Sequence, residues 1–119
     1  MRILIVEDEP LLVMATSDML ADLGHHVAGV ATSLAAALKA ARSLAFDLAM
    51  LDVNLGGQRV DEVASVLGGR GIPFVFTTGY DVRTLPPAFA ERPCLAKPLD
   101  AERLATVLRG VRSGAAATG

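Results

Sequence analysis

The stretch Leu48–Ala49–Met50–Leu51–Asp52–Val53–Asn54 constrains the fold of this 119-residue chain more than any other. A short apolar run of this kind reads as a strand buried on both faces, and such strands belong to parallel sheets covered by helices. It ends on a single carboxylate, Asp52, then passes through Asn54 into Gly56–Gly57. Glycine-rich backbone directly after a buried strand is where an open α/β sheet keeps its ligand. An acid there is badly placed for packing and well placed for chemistry, although a cap on a turn or helix would also account for it.

The remaining segments supply the partners of this strand. Arg2–Val6 is a strand by its β-branched content and stops at Glu7–Asp8–Glu9. Pro10 suits the first turn of a helix, and Leu12, Ala15, Met19, Leu20 and Leu23 keep helical spacing up to Gly24. His26–Ala31 is a second strand. Thr32 or Ser33 caps a helix carrying Leu34, Leu38, Ala41 and Leu44 on one face. The third strand is Leu48–Leu51, followed by a glycine loop. Val60, Val63, Ala64 and Leu67 mark a third helix, closed by Gly68–Gly69–Arg70–Gly71. Ile72–Thr78 is the fourth strand and Pro93–Ala96 the fifth. Between Gly79 and Arg92 the helical pattern is poor and Pro86–Pro87 interrupts it, so the fourth helix is expected to be weak or missing. Asp100 caps a last helix with Leu104, Val107, Leu108 and Val111 in register. The domain is expected to span residues 1–112, with 113–119 a flexible tail. Five strands alternating with helices predict an α/β, flavodoxin-like (βα)5 doubly wound sandwich with a parallel sheet in the order 2-1-3-4-5.

Composition excludes several classes of function. Apolar residues make up 52% and charged residues 20%, as in a soluble globular chain. The net charge of −2 leaves no basic face for nucleic acid. Cys94 has no second cysteine to pair with and suits a reducing cytoplasm. Glu7, Asp8 and Glu9 interrupt the N-terminal apolar run too early for a signal peptide, and no run is long enough to span a membrane. The expected location is therefore cytoplasmic, with neither nucleic acid nor membrane as a partner.

In the order 2-1-3-4-5, the polar residues that end the strands meet at one edge of the sheet. Glu7 and Asp8 follow the first strand, Asp52 ends the third, Thr78 ends the fourth and Lys97 follows the fifth. Three carboxylates at close range repel unless a proton or a hard cation intervenes, and oxygen ligands with room for water suit Mg²⁺. The Asn54 backbone carbonyl is a candidate further ligand. Lys97 can pair with an anion or with Asp52, and the Thr78 hydroxyl can hydrogen-bond a phosphoryl oxygen. Together these groups suit phosphoryl transfer, with Asp52 as in-line nucleophile forming an aspartyl-phosphate. Taken singly each has a plainer explanation: a helix N-terminal acid cluster for Glu7, Asp8 and Glu9, a surface lysine, an ordinary strand threonine. Coincidence at five strand ends favours the chemical reading.

From Ile3 to Val111 the chain resembles a response-regulator receiver domain of the CheY-like kind. Four motifs carry the resemblance, ILIVEDEP (Ile3–Pro10), LAMLDVNL (Leu48–Leu55), PFVFTTGY (Pro73–Tyr80) and LAKPLD (Leu95–Asp100). The resemblance implies Glu7 and Asp8 as the metal-binding acid pair, Asp52 as phosphoacceptor and metal ligand, and Asn54 as carbonyl ligand. It implies Thr78 as the switch hydroxyl, Lys97 as the phosphoryl-binding lysine, a cis Lys97–Pro98 peptide and Mg²⁺ as cofactor. The implied catalysis is confined to the chain's own Mg²⁺-dependent aspartyl phosphorylation and dephosphorylation. The implied donor is a phosphohistidine on a sensor histidine kinase or a histidine phosphotransfer protein.

Three departures refine the resemblance. Cys94 stands where most receivers have an aromatic residue, Leu55–Gly56 replaces the usual Met-Pro, and Pro86–Pro87 weakens the fourth helix. These, with PFVFTTGY, are similar to the stand-alone receivers nicknamed FAT GUY, typically bacterial and working with HWE or HisKA_2 kinases, although Thr77 stands where their motif has Ala. For such a chain an order–disorder switch over Tyr80–Arg92 is expected, coupled through Thr78 and Gly79. With no residues left for an effector domain, the expected output is protein–protein interaction or action as a phosphate sink. The competing reading is a receiver-like protein-binding module that works without phosphorylation. A flavodoxin-like flavin carrier is disfavoured because Glu7–Asp8–Glu9 would repel a phosphate. A haloacid-dehalogenase-type phosphatase is disfavoured because Asp52–Val53–Asn54 lacks a second carboxylate. His25–His26 is expected to be a solvated turn, and Arg103, Arg109 and Arg112 a solvated helix face.

Overall fold

Side-chain alternation along three adjacent strands divides the core into two layers, and that division places the site. The computed structural model describes residues 1–79 and 93–118, with the backbone alone at 59 and 112–118. The elements in chain order are β1 (Arg2–Val6), α1 (Pro10–Asp22), β2 (His26–Ala31), α2 (Leu34–Ser43), β3 (Leu48–Asp52), β4 (Asn54–Leu55), β5 (Gln58–Arg59), α3 (Asp61–Gly69), β6 (Phe74–Thr78), β7 (Cys94–Ala96) and α4 (Ala101–Thr118). The main sheet is parallel in the order β2-β1-β3-β6-β7, the flavodoxin-like 2-1-3-4-5 once the small β4–β5 ribbon is set aside.

Register ties the layers together. Ile5 pairs with Met50, which pairs with Val75; Val6 pairs with Leu51, which pairs with Phe76. Ile3, Ile5, Leu48, Met50 and Val75 pack with Leu20 of α1 and with Leu104 and Leu108 of α4. Leu4, Val6, Ala49, Leu51, Phe74 and Phe76 face α2 and α3 and meet Ala37, Ala41, Val63 and Leu67. Every residue of β3 and β6 is buried, as strands with helices on both faces require. Among the described residues, no helix is long and apolar enough to cross a membrane.

Local chemistry starts the helices where the sequence indicates. Pro10 opens α1, the Ser33 hydroxyl accepts from the Ala36 N–H at 3.1 Å, and the Asp100 carboxylate accepts from the Arg103 N–H at 3.1 Å. Ser33, rather than Thr32, is therefore the cap of α2. The Lys97–Pro98 peptide is cis.

One segment differs from expectation. The glycine loop after β3 is a hairpin, in which Leu55 pairs with Gln58 across Gly56 and Gly57. Both glycines have positive φ, +56° and +83°, as a two-residue primed turn requires. The helical backbone of α4 runs to Thr118 through the strong helix formers Ala115, Ala116 and Ala117. The expected weak fourth helix and switching segment, 80–92, lie outside the described residues.

The Phe74 and Phe76 rings meet edge to face, with centroids 5.5 Å apart and planes at 79°. Phe76→Ala should cost about 3–5 kcal/mol of unfolding free energy, and Ser33→Ala about 1 kcal/mol, both read as shifts of the urea midpoint.

Candidate functional site

The register that builds the core also aligns the polar residues at its rim. Asp52 pairs with Thr77, and Glu7 lies one residue beyond Val6, the partner of Leu51. Alternation puts Glu7, Asp52 and Thr77 in one row across three neighbouring strands, on the α1–α4 side with Ile5, Met50 and Val75. Lys97, just after β7, reaches into this row. Its ammonium donates to Glu7 Oε1 at 2.6 Å and lies 3.1 Å from Asp52 Oδ2. Glu7, Asp8 and Asp52 each offer a carboxylate oxygen, all within 4.8 Å of one another. Backbone donors fix two of these acids: the Glu9 N–H donates to Glu7 Oε2 and the Asn54 N–H to Asp52 Oδ1, each at 3.2 Å. The hairpin closes the far side, where a Cβ on Gly56 would stand 3.7 Å from Asp8 Oδ2.

Burial sharpens the electrostatics. Glu7 is 5% exposed and Asp52 6%, whereas Asp8 is exposed. Burial pushes the Glu7 carboxyl above its ordinary value, with the Asp52 charge adding to the rise; the Lys97 hydrogen bond opposes it and is outweighed. For Lys97 burial acts to lower the pKa, but the Glu7 hydrogen bond and the Asp52 charge together win and hold the ammonium above its usual range. Lys97 is therefore a firmly charged cation, the counter-ion of a carboxylate cluster that would otherwise repel itself.

Of the residues expected at the sheet edge, Glu7, Asp8, Asp52 and Lys97 come together directly. Lys97 is not a surface lysine, since its side chain is 17% exposed and held between two acids. Nor is Glu7 a helix cap, because its carboxylate faces Lys97 while Glu9 occupies the cap position of α1. Thr78 is 1% exposed, and its carbonyl accepts from the Lys97 N–H at 2.9 Å. Alternation sets its side chain on the Phe74–Phe76 side, across the sheet from Lys97. Asn54 contributes its N–H to Asp52, and its side-chain Oδ1 is buried with no hydrogen-bond partner. The three carboxylates of Glu7, Asp8 and Asp52 make a hard, all-oxygen donor set that fits Mg²⁺.

Alternation also places Thr77, which the strand-end reading did not single out, in the row with Asp52. Two secondary positions also take definite form. His25 Nδ1 lies 2.9 Å from the Met1 amine, so this turn is tied to the chain start. Cys94 is half-buried against the α2–α3 layer, and burial pushes its thiol up.

Comparison with known proteins agrees with this geometry. The family model for the response regulator receiver domain matches residues 3–109. The phyllosphere-induced regulator PhyR of Methylorubrum extorquens is 35% identical over 114 residues, which cover 90% of this chain and 42% of PhyR. The chain thus spans less than half the length of this curated relative. The solution structure of SdrG from Sphingomonas melonis Fr1 superposes with a TM-score of 0.83 at 40% identity, covering 93% of this chain and 95% of that one. SdrG of Pseudomonas melonis Fr1 in its BeF3-activated conformation gives a TM-score of 0.80 at 40% identity, covering 92% and 94%.

A raised folded-state pKa means that the stabilisation from Lys97 is fully present below its unfolded value, about 10.4, and is lost as pH rises through the higher folded value. Lys97→Met should therefore lie about 1.5–3 kcal/mol below wild type at pH 8. In urea melts the gap should narrow steadily above pH 11.

Proposed function

The chain belongs to the response regulator receiver domain family, and on that premise we propose that it is a single-domain response regulator that accepts a phosphoryl group on Asp52. The observation that carries the proposal is the Lys97 ammonium held 3.1 Å from Asp52 inside a cluster of three carboxylates. The BeF3-activated form of SdrG, a relative at 40% identity, supports an acyl-phosphate-type activated state.

Glu7, Asp8, Asp52 and the Asn54 carbonyl would hold Mg²⁺, which when bound supplies the positive charge that phosphoryl oxygens need in transfer. The chain's own groups do the rest. The Asn54 N–H orients Asp52 through Oδ1, leaving Oδ2 as the nucleophile on the Lys97 side. Oδ2 attacks phosphorus, the P–N bond of the donor phosphohistidine breaks, and the electron pair stays on the leaving imidazole nitrogen. Lys97 then shifts from its carboxylate partners to the phosphoryl oxygens, and the Thr78 hydroxyl donates from the opposite side.

The PFVFTTGY segment supports a sensor kinase of HWE or HisKA_2 type, or a histidine phosphotransfer protein, as the donor. The output is a protein–protein contact or withdrawal of phosphoryl groups from a shared kinase, in the cytoplasm. Intact mass after incubation with a small phosphodonor should show one added phosphoryl group that requires Mg²⁺ and disappears in Asp52→Ala. No adduct with the phosphodonor, and no binding of beryllofluoride, would instead assign the chain to binding modules that work unphosphorylated.

A further inference from the structure

We propose that the free edge of β2 is a self-association surface, on which a second copy of this chain lays its own β2 antiparallel across a two-fold axis. The proposal does not depend on phosphoryl chemistry.

β2 and β7 are the edge strands of the main sheet. β7 has three residues with Pro93 and Pro98 close on either side, so it offers little to an incoming strand. β2 has six residues, His26–Ala31, with no proline and no Asp, Glu, Lys or Arg. Edges are normally blunted by such residues, and an uncharged edge of this length is open to pairing. Among the described residues the exposed large apolar side chains are Leu11, Met14, Val27 and Val30, so β2 carries half of them. Val27 and Val30 pair with Ile3 and Ile5 of β1, which puts both valines on the same face of the sheet.

An irregularity in β2 selects the strand that fits. The His26 N–H donates to the Met1 carbonyl, and the Ala31 carbonyl accepts from the Glu7 N–H, so both ends of β2 face β1. Alternation from either end turns the peptide groups of Val27 and Val30 outward, and the register shift between Ile3 and Leu4 leaves Ala28 and Gly29 together between them. The outward groups are therefore three residues apart. A regular strand offers its own two apart and matches only one of them. A second copy carries the same irregularity. Turned antiparallel about an axis between Ala28 and Gly29, it sets Val27 against Val30 of the second copy, and Val30 against Val27 of that copy.

Each valine then exchanges backbone hydrogen bonds with a valine and covers it, and neither strand brings a charge to the seam. Only the small residues Ala28 and Gly29 stand at the axis, so the strands can approach closely. The carboxyl ends of the two sheets point in opposite directions, which leaves both carboxylate clusters open. Six residues a side fall well short of the roughly 20–30 of a stable interface, so this dimer is a weak one that forms at high concentration.

Sedimentation velocity over a concentration series should show wild type passing reversibly from monomer to dimer. Val27→Lys and Val30→Glu should each weaken the dimer about tenfold, because each brings an unpaired charge into the seam. Both substitutions in one chain should restore it to within about threefold of wild type, since the antiparallel register sets each new charge against its opposite. Leu11→Lys, on the exposed face of α1, should leave association unchanged. Urea midpoints establish that each variant is folded. Amide exchange at Val27 and Val30 should slow as protein concentration rises, while that of His26, which already donates to Met1, stays constant. Wild type that is monomeric at every concentration, association lost in Leu11→Lys instead, or a double variant no better than the single ones overturns the proposal.

Discussion

One ammonium lets three carboxylates share the rim of this sheet. Without Lys97, Glu7, Asp8 and Asp52 would place like charges within 4.8 Å of one another, two of them buried. With it, two of the three carboxylates have a cation in direct contact, 2.6 Å from Glu7 and 3.1 Å from Asp52. The arrangement is costly to bury and poorly suited to maximising stability, because trading such a group for apolar packing is often neutral or favourable. Its position at the end of a fully buried strand is what distinguishes a chemical site from a packing accident.

The precision of the site comes from the sheet rather than from the loops. Glu7, Asp52 and Thr77 are rungs of one ladder, so their spacing is set by backbone pairing. Lys97 is brought to them by a β7 of three residues whose pairing with β6 extends to Thr78 and Ala96. The Gly56–Gly57 hairpin then stiffens the chain immediately after Asp52, holding the Asn54 N–H on its carboxylate. Groups assembled on strands hold their geometry better than groups on long loops, as a chemical site requires.

Much of this was legible in the chain. Buried strands announce themselves as apolar runs, and a right-handed parallel topology leaves few ways to arrange five of them, so the strand-end residues converge almost by necessity. What was not legible depends on finer physics. That Thr77 shares a row with Asp52 turns on a single step of alternation, which needs the register of β6 against β3. The Glu7–Lys97 bond joins residues far apart in sequence, and only side-chain geometry shows that the ammonium lies closer to Glu7 than to Asp52. The hairpin was visible as two glycines between alternating residues but was read as an open loop.

The two-layer core has a mechanical consequence. The sheet is a partition, and Asp52 stands on its lip with Lys97 rising from one layer and Thr78 from the other. A group that grows on Asp52 and draws both partners inward applies force to the two layers in opposite senses. Close-packed layers on either side of a stiff sheet resist compression but slide along it more readily. On the phosphoacceptor reading proposed above, a charge added at this lip would load both helical layers at once rather than one alone.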